Sequence, residues 1–289
     1  MLPAFRGRYP FRQYMPNKPS KYGLKIFAMA DSKTFYVSNM EVYLGKQPAG
    51  PFALSYSPDL VVKRLITPIT GSGRNVTMDN WFTSLPLALD LVQDHNLTVL
   101  GTVRKNKKEL APIFIETKQR KECSSVFGFQ EKNTVLSCVP KREKTVILLS
   151  TMHNDDAIDH FTGEKYKPVI ITDYNRTKSG VDAVDKLCAS YNTSRNSRLW
   201  PLTIFFTLLN IAGIDSRVIY TWNNSKNIKR RFFLKQFSLD LISDHMNSRK
   251  SNKYLSKGLK RKMVDFMETE DNVSPPKRPN LDQQKRCTT

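Results

Sequence analysis

The 289-residue chain carries 46 Lys plus Arg against 26 Asp plus Glu, a formal net charge of +20. A chain of this length with 39% hydrophobic and 10% aromatic residues can bury a core, which excludes a wholly disordered protein, and 12 Gly with 16 Pro exclude a collagen-like one. The charge calls for a polyanionic partner, either nucleic acid or an acidic membrane surface.

Met1 to Ala30 holds six basic residues, Arg6, Arg8, Arg12, Lys18, Lys21 and Lys25, and no acid. Phe5, Tyr9, Phe11, Tyr14 and Tyr22 interleave with them. This is either a solvated irregular segment with a few core aromatics or a strip that contacts phosphates and stacks on bases. Leu24 to Ala30 and Thr34 to Val37 read as two strands around a turn at Asp31-Ser32. Asn75 to Met78 reads as a strand leading into Asp79. Ser84 suits a helix N-cap, Pro86 the first turn, and Leu87, Leu91 and Val92 recur at helical spacing up to His95. Leu97 to Val103 reads as a buried strand, which completes a strand–helix–strand unit.

From Arg104 to Tyr166 lysines cluster, and the β-like runs Ser124 to Phe129, Thr134 to Val139 and Thr145 to Ser150 alternate with polar turns, as in a small β-rich insertion. Val169 to Thr172 returns to a strand pattern. Gly180 to Tyr191 reads as a helix, with Val181, Val184, Leu187 and Cys188 on one side. A long helix follows from Pro201 to about Trp222, a second covers Phe232 to His245, and the polar chain from Arg249 onward reads as a disordered tail. The most apolar run, Trp200 to Ile214, contains Asn210 and is too short to span a bilayer. Lys229-Arg230-Arg231, Lys260-Arg261-Lys262 and Pro275 to Pro279 are candidate nuclear-import or phosphate-contact clusters, although such runs are more often solvated charge.

The cysteines Cys123, Cys138, Cys188 and Cys287 form no CxxC pair, which argues against a structural zinc site and for a reducing compartment. Four scattered histidines suggest neither zinc nor Ser-His-Asp chemistry. Two acids stand out: Asp79 at a predicted strand end and Asp182 at a predicted helix start, with Asp185 one turn further on. Carboxylates from separate elements that converge at a sheet edge can hold Mg²⁺ for phosphodiester chemistry. Read blandly, Asp79 is a turn residue and Asp182 a helix N-terminal acid favoured by the dipole. Trp81 and Phe82 read as core residues. Arg195, Arg198 and Trp200 precede a long helix and could contact DNA, although packing at the helix entry is an equal reading for Trp200.

The blocks Phe5-Arg6-Gly7-Arg8, Pro16 to Lys25, Asp79 to Ser84, Gly101 to Asn106, Ser179 to Asp182, Ser194-Arg195 and Arg198 to Pro201 together resemble the piggyBac transposase family, in order and spacing. The resemblance implies an α/β fold: an incomplete ribonuclease H-like core in residues 1–103 and 169–191, interrupted by a β-rich insertion domain at 104–168. A helical dimerisation and DNA-binding region at 192–248 and a basic disordered tail at 249–289 would follow. It implies Mg²⁺-dependent DNA cleavage and strand transfer at TTAA sites by three aspartates and two metal ions, in the nucleus. Asp79 and Asp182 match the second and third catalytic aspartates and metal ligands, and Asp185 a further acid at the metal site. Arg6, Arg8, Arg12, Lys18, Lys21, Arg104, Lys105, Arg195 and Arg198 become the candidate DNA contacts. Double-stranded DNA and a second copy of the chain are the implied partners, with no membrane and no small-molecule cofactor.

In the family the first catalytic aspartate lies just ahead of the block beginning Met-Leu-Pro, which implies that it falls upstream of Met1. Most of the N-terminal dimerisation region and, apart from Cys287, the Cys-rich zinc tail would be missing with it. The expected protein therefore binds DNA without cutting it. The alternatives are an active transposase, either because the gene model is cut short at Met1 or because a neighbouring acid, Asp31, substitutes, and a relic or a chromatin or protein-interaction module.

Overall fold

The computed structural model describes residues 1–51, 53–116, 120–225 and 227–268. Two compact units divide the chain, Met1–Lys226 and Asn227–Thr289.

The first unit opens with an antiparallel ribbon of β1 (Arg12–Tyr14) and β2 (Tyr22–Leu24), in which Tyr14 lies opposite Tyr22. A second antiparallel pair joins β3 (Ile26–Ala30) to β4 (Val37–Val42), with an irregularity at Met29/Ala30. The second strand thus starts at Val37 and not at Thr34, because the turn takes more chain than expected. Asp31 Oδ2 accepts from the Lys33 and Thr34 amides at 3.1 and 2.6 Å, and Phe35 takes a φ of +65°. Met1 extends the ladder beside β3 by exchanging both backbone bonds with Ile26, at 2.9 and 3.1 Å.

Helix α1 (Pro58–Ile66) places Pro58 in its first turn and Arg64 in its last, and buries Val61, Val62, Leu65 and Ile66. Arg64 binds Glu41 of β4 in a fork, with N···O distances of 2.6 and 2.8 Å. The strand–helix–strand unit follows as read: β5 (Asn75–Met78), α2 (Leu85–Gln93) capped by the Ser84 hydroxyl, and β6 (Thr98–Thr102). Strands β5 and β6 pair in parallel, Asn75 opposite Thr98.

After the short helix α3 (Pro112–Ile115) come β7 (Ser125–Gln130), β8 (Asn133–Lys141) and β9 (Lys144–Ser150). These three strands stand where the β-like runs predict them. They do not close on themselves: β9 pairs antiparallel with β6, so one mixed five-stranded sheet runs β5-β6-β9-β8-β7. Among the described residues, no strand links this sheet to the β3–β4 pair.

Alternation along β6 explains the layers. Val99 faces α2, within a cluster that includes Leu87, Leu91 and Leu149, while its neighbour Leu100 faces the other way, with Leu136, Leu148 and Ile170. Ile170 belongs to α4 (Val169–Thr177), so the strand expected at Val169 to Thr172 is a helix. These four residues are β-prone by sequence, but covering the second sheet face decides their conformation. Helix α5 (Gly180–Ser190) and helix α6 (Trp200–Asn224) cover the β3–β4 pair, with Val37, Val184, Ile211 and Ile214 in one cluster. On the opposite face of that pair, Phe27 packs on Val61 and Leu65 of α1.

With 25 residues, α6 is long and apolar enough to cross a membrane by length and composition, longer than the run read from the sequence. Its polar side chains are committed elsewhere: Asn210 Oδ1 accepts from the Thr193 amide at 3.0 Å, and Asp215 from the Val37 amide at 2.9 Å.

The second unit contains α7 (Arg230–Lys250) and α8 (Lys257–Glu268). Both exceed the expectation, since α7 runs past His245 and α8 forms where a disordered tail begins in the sequence reading. Ser256 starts α8 by accepting the Leu259 amide, and Met263 is buried. Pro275 to Pro279 and Cys287 lie outside the described residues.

Candidate acidic site and nucleic-acid interface

Asp79 directly follows β5 and opens a tight turn. Its Oδ1 accepts the Trp81 amide at 2.8 Å, and its carbonyl accepts the Thr83 hydroxyl at 2.8 Å and the Phe82 and Thr83 amides. Gly101 of β6 lets this turn lie down: a Cβ there would overlap Thr83 Oγ1 and stand 3.1 Å from the Met78 carbonyl. Two of the recognised sequence blocks are thus halves of one packing contact. Trp81 stacks on Phe27 at 5.4 Å between centroids, and Phe82 packs against both neighbouring clusters, so their reading as core residues holds.

Asp182 sits in the first turn of α5, with its side chain 75% exposed and 3.4 Å from Lys18 Nζ. Asp185, one turn on, is half-buried. Burial pushes its carboxyl above the usual range, while the Met1 ammonium and Lys18 pull the other way and Asp182 adds to the rise. Lys25 borders the Asp79 end. Burial lowers its pKa, Asp79 opposes that shift, and its ammonium stands 4.5 Å from the Trp81 ring.

Strand β3 connects the two ends. Lys25 directly precedes it, and Gly180 of α5 lies against its last residue, Ala30. The Met1 ammonium, bonded to the Ile26 carbonyl next to Lys25, is acted on by Asp185 and Asp182, so the acids of α5 and Asp79 both bear on groups at the start of β3. Among the described residues, no three His, Cys, Asp or Glu side chains are grouped closely enough to hold a metal ion. Asp31, the acid available to substitute, is engaged in its own turn and also accepts the Thr34 hydroxyl at 2.6 Å.

Most of the cations expected at a DNA interface gather at one junction. Gly7 is pressed against the Arg198 carbonyl, where a Cβ would stand 2.7 Å away, so exposed Arg6 and Arg8 emerge beside Arg198. Trp200 fixes this junction by packing on Tyr9 and Phe11 at 5.1 and 5.3 Å, which answers its open reading in favour of packing. Arg195 is exposed on the same short segment. Arg12 braces the junction, donating to the Arg6 and Gly7 carbonyls and lying 5.0 Å over the Tyr22 ring. At the acidic end, Arg104 Nε reaches Asn80 at 3.4 Å, and Lys105 is exposed beside it. Lys21 is exposed in the β1–β2 turn. The placement of Lys18 on Asp182 and of Lys25 over Trp81 had no signal in the sequence beyond the density of charge.

Ser150 Oγ lies 2.8 Å from His153 Nδ1, and His153 Nε2 lies 3.0 Å from Asp173. Ser150 is fully buried and its oxygen also accepts the Met152 and His153 amides, so the trio clips β9 to α4 and offers no exposed nucleophile.

A family profile described as transposase IS4 matches residues 1–216. A solved structure, a piggyBac transposase synaptic complex with hairpin DNA, superposes on 99% of this chain with a TM-score of 0.83 and 37% identity. The chain belongs to the piggyBac-type transposase family. Two human members of this piggyBac group are similar over 225 residues at 24% identity: PiggyBac transposable element-derived protein 3 and the chimeric ERCC6-PGBD3 protein. The alignments cover 72% of this chain but 37% and 21% of those proteins, and 59% of the solved piggyBac chain.

Proposed function

We propose that this chain is a transposable-element-derived, nuclear protein that binds double-stranded DNA, with a ribonuclease H-like core around β3–β6 and α5, the strands of 104–168 as its insertion, and a second copy of the chain as partner. The observation that carries the reading is the junction where Arg6 and Arg8 emerge beside Arg198, on a chain of net charge +20. The solved relative held in a complex with hairpin DNA supports it.

Asp79, Asp182 and Asp185 are the right donor type for Mg²⁺. However, among the described residues no three such groups cluster, and Lys18 stands against Asp182. These residues alone do not fit a two-metal site.

The test is duplex binding across a salt series. Each phosphate contact contributes about −0.9 to the slope of log affinity against log salt, and Arg195→Ala/Arg198→Ala is expected to flatten the slope by about 2. Binding indifferent to salt would overturn the reading. Mg²⁺-dependent nicking that disappears in Asp182→Asn would replace it with that of an active transposase.

A further inference from the structure

A concavity of about 680 Å³ lies between the β8–β9 turn and α4, within the roughly 300–1,000 Å³ typical of small-ligand sites. Six cations line it: Lys141, Arg142 and Lys144 on the turn, Lys165 and Lys167 ahead of α4, and Lys178 at its end. The acid in the lining, Glu122, accepts the Arg142 backbone amide at 2.8 Å, and none of the six forms an ion pair among the described residues. Like charges collected around one hollow raise the energy of the empty state, and an anion relieves it.

An inorganic anion would leave the apolar part of the lining unused. Val146, Ile171 and Tyr174 give the hollow an apolar and aromatic wall. The Lys178 ammonium lies over the Tyr174 ring, 5.5 Å from its centre, so a phosphate-binding charge stands at the aromatic part of this wall and a base would lie beside it.

We propose that this hollow is a nucleotide-binding site, distinct from the Asp79–Asp182 region, that holds phosphate on its cations and a base against the Val146–Ile171–Tyr174 wall. The nucleotide belongs either to a DNA strand or to the free pool. The first source rests on the DNA-binding reading above and the second does not. Only Ser179 separates Lys178 from α5, so a strand seated here would pass close to the helix that carries Asp182.

The full chain is assayed in EDTA, which removes metal chemistry from the result. The probes are deoxyadenosine monophosphate, a labelled single-stranded oligonucleotide, and inorganic phosphate as competitor. Asn175→Trp narrows the mouth without changing charge, and Lys144→Glu/Lys167→Glu reverses two rim charges; unchanged melting temperatures confirm that both variants fold. Mononucleotide affinity is expected to fall about tenfold or more in each variant, with phosphate a weaker competitor than the nucleotide. A parallel loss for the oligonucleotide identifies a strand as the source, and an unchanged oligonucleotide affinity identifies the free nucleotide. No mononucleotide binding, equal binding to Asn175→Trp, or equal competition by phosphate would each overturn the site. Arg195→Ala/Arg198→Ala serves as the separating control. It is expected to weaken oligonucleotide binding and leave mononucleotide binding intact, so the general interface and the hollow can fail independently.

Discussion

At the turn between β3 and β4, one oxygen of Asp31 accepts two backbone amides and the Thr34 hydroxyl. Burial alone would raise this carboxyl, but the Thr34 and Lys33 hydrogen bonds outweigh it and hold the pKa below the ordinary 3.8. A depressed carboxyl favours the fold while it is ionised. Its contribution is therefore complete above the unfolded value of 3.8 and is lost as pH falls through the lower folded value. Asp31→Ala is expected to cost about 1 kcal/mol at pH 7 and to lose that difference in acid, which denaturant melts at several pH values would register. Asp215 runs the opposite way: burial raises its carboxyl, against the pull of the Val37 amide, so its contribution fades as pH rises. Among the site residues, Asp79 and Asp182 were legible as acids at element ends. Lys18 was legible only as a charge, because its partner lies 164 residues away in sequence.

At the scale of elements, the clearest dependence is that of the Asp79 turn on a glycine in the next strand. Gly101→Ala would drive a methyl group into Thr83 Oγ1 and the Met78 carbonyl. Overpacking of this kind costs about 1–3 kcal/mol, so the variant is expected to melt earlier, and Thr83→Ala in the same chain should recover part of the loss. Helix α2 was readable because its signals are local, a Ser84 cap and apolar spacing. Helix α4 was not: its first residues are β-prone, and its conformation follows from Ile170 sealing the sheet beside Leu100, Leu136 and Leu148. The run from Lys144 to Ser150 was recognisable as a strand, but not as the partner of β6. Antiparallel pairing between segments so far apart leaves no periodic trace.

At the scale of the whole molecule, a charge of +20 has two opposed effects. It attracts a polyanion, and it strains the folded state by self-repulsion. Salt screens both, with a Debye length of about 10 Å at 0.1 M falling to about 3 Å at 1 M. Raising the salt concentration is therefore expected to increase the melting temperature while it weakens DNA binding. A calorimetric salt series beside the binding series would record the two trends, and a melting temperature that falls with salt would show that ion pairs such as Arg64–Glu41 outweigh repulsion.

Local chemistry was enough for the α/β class, for most strands and helices, for the basic character and for the two aspartates at element ends. Caps, apolar periodicity and charge are properties of neighbouring residues, so they are visible along the chain. Three features depend on residues distant in sequence. The strands of 104–168 extend the β5–β6 sheet, Arg6 and Arg8 meet Arg198 through Gly7, and six cations from two loops and a helix end surround one hollow. Each requires a close approach that only packing brings about, since the free energy that holds it comes from burying surfaces no local pattern pairs in advance.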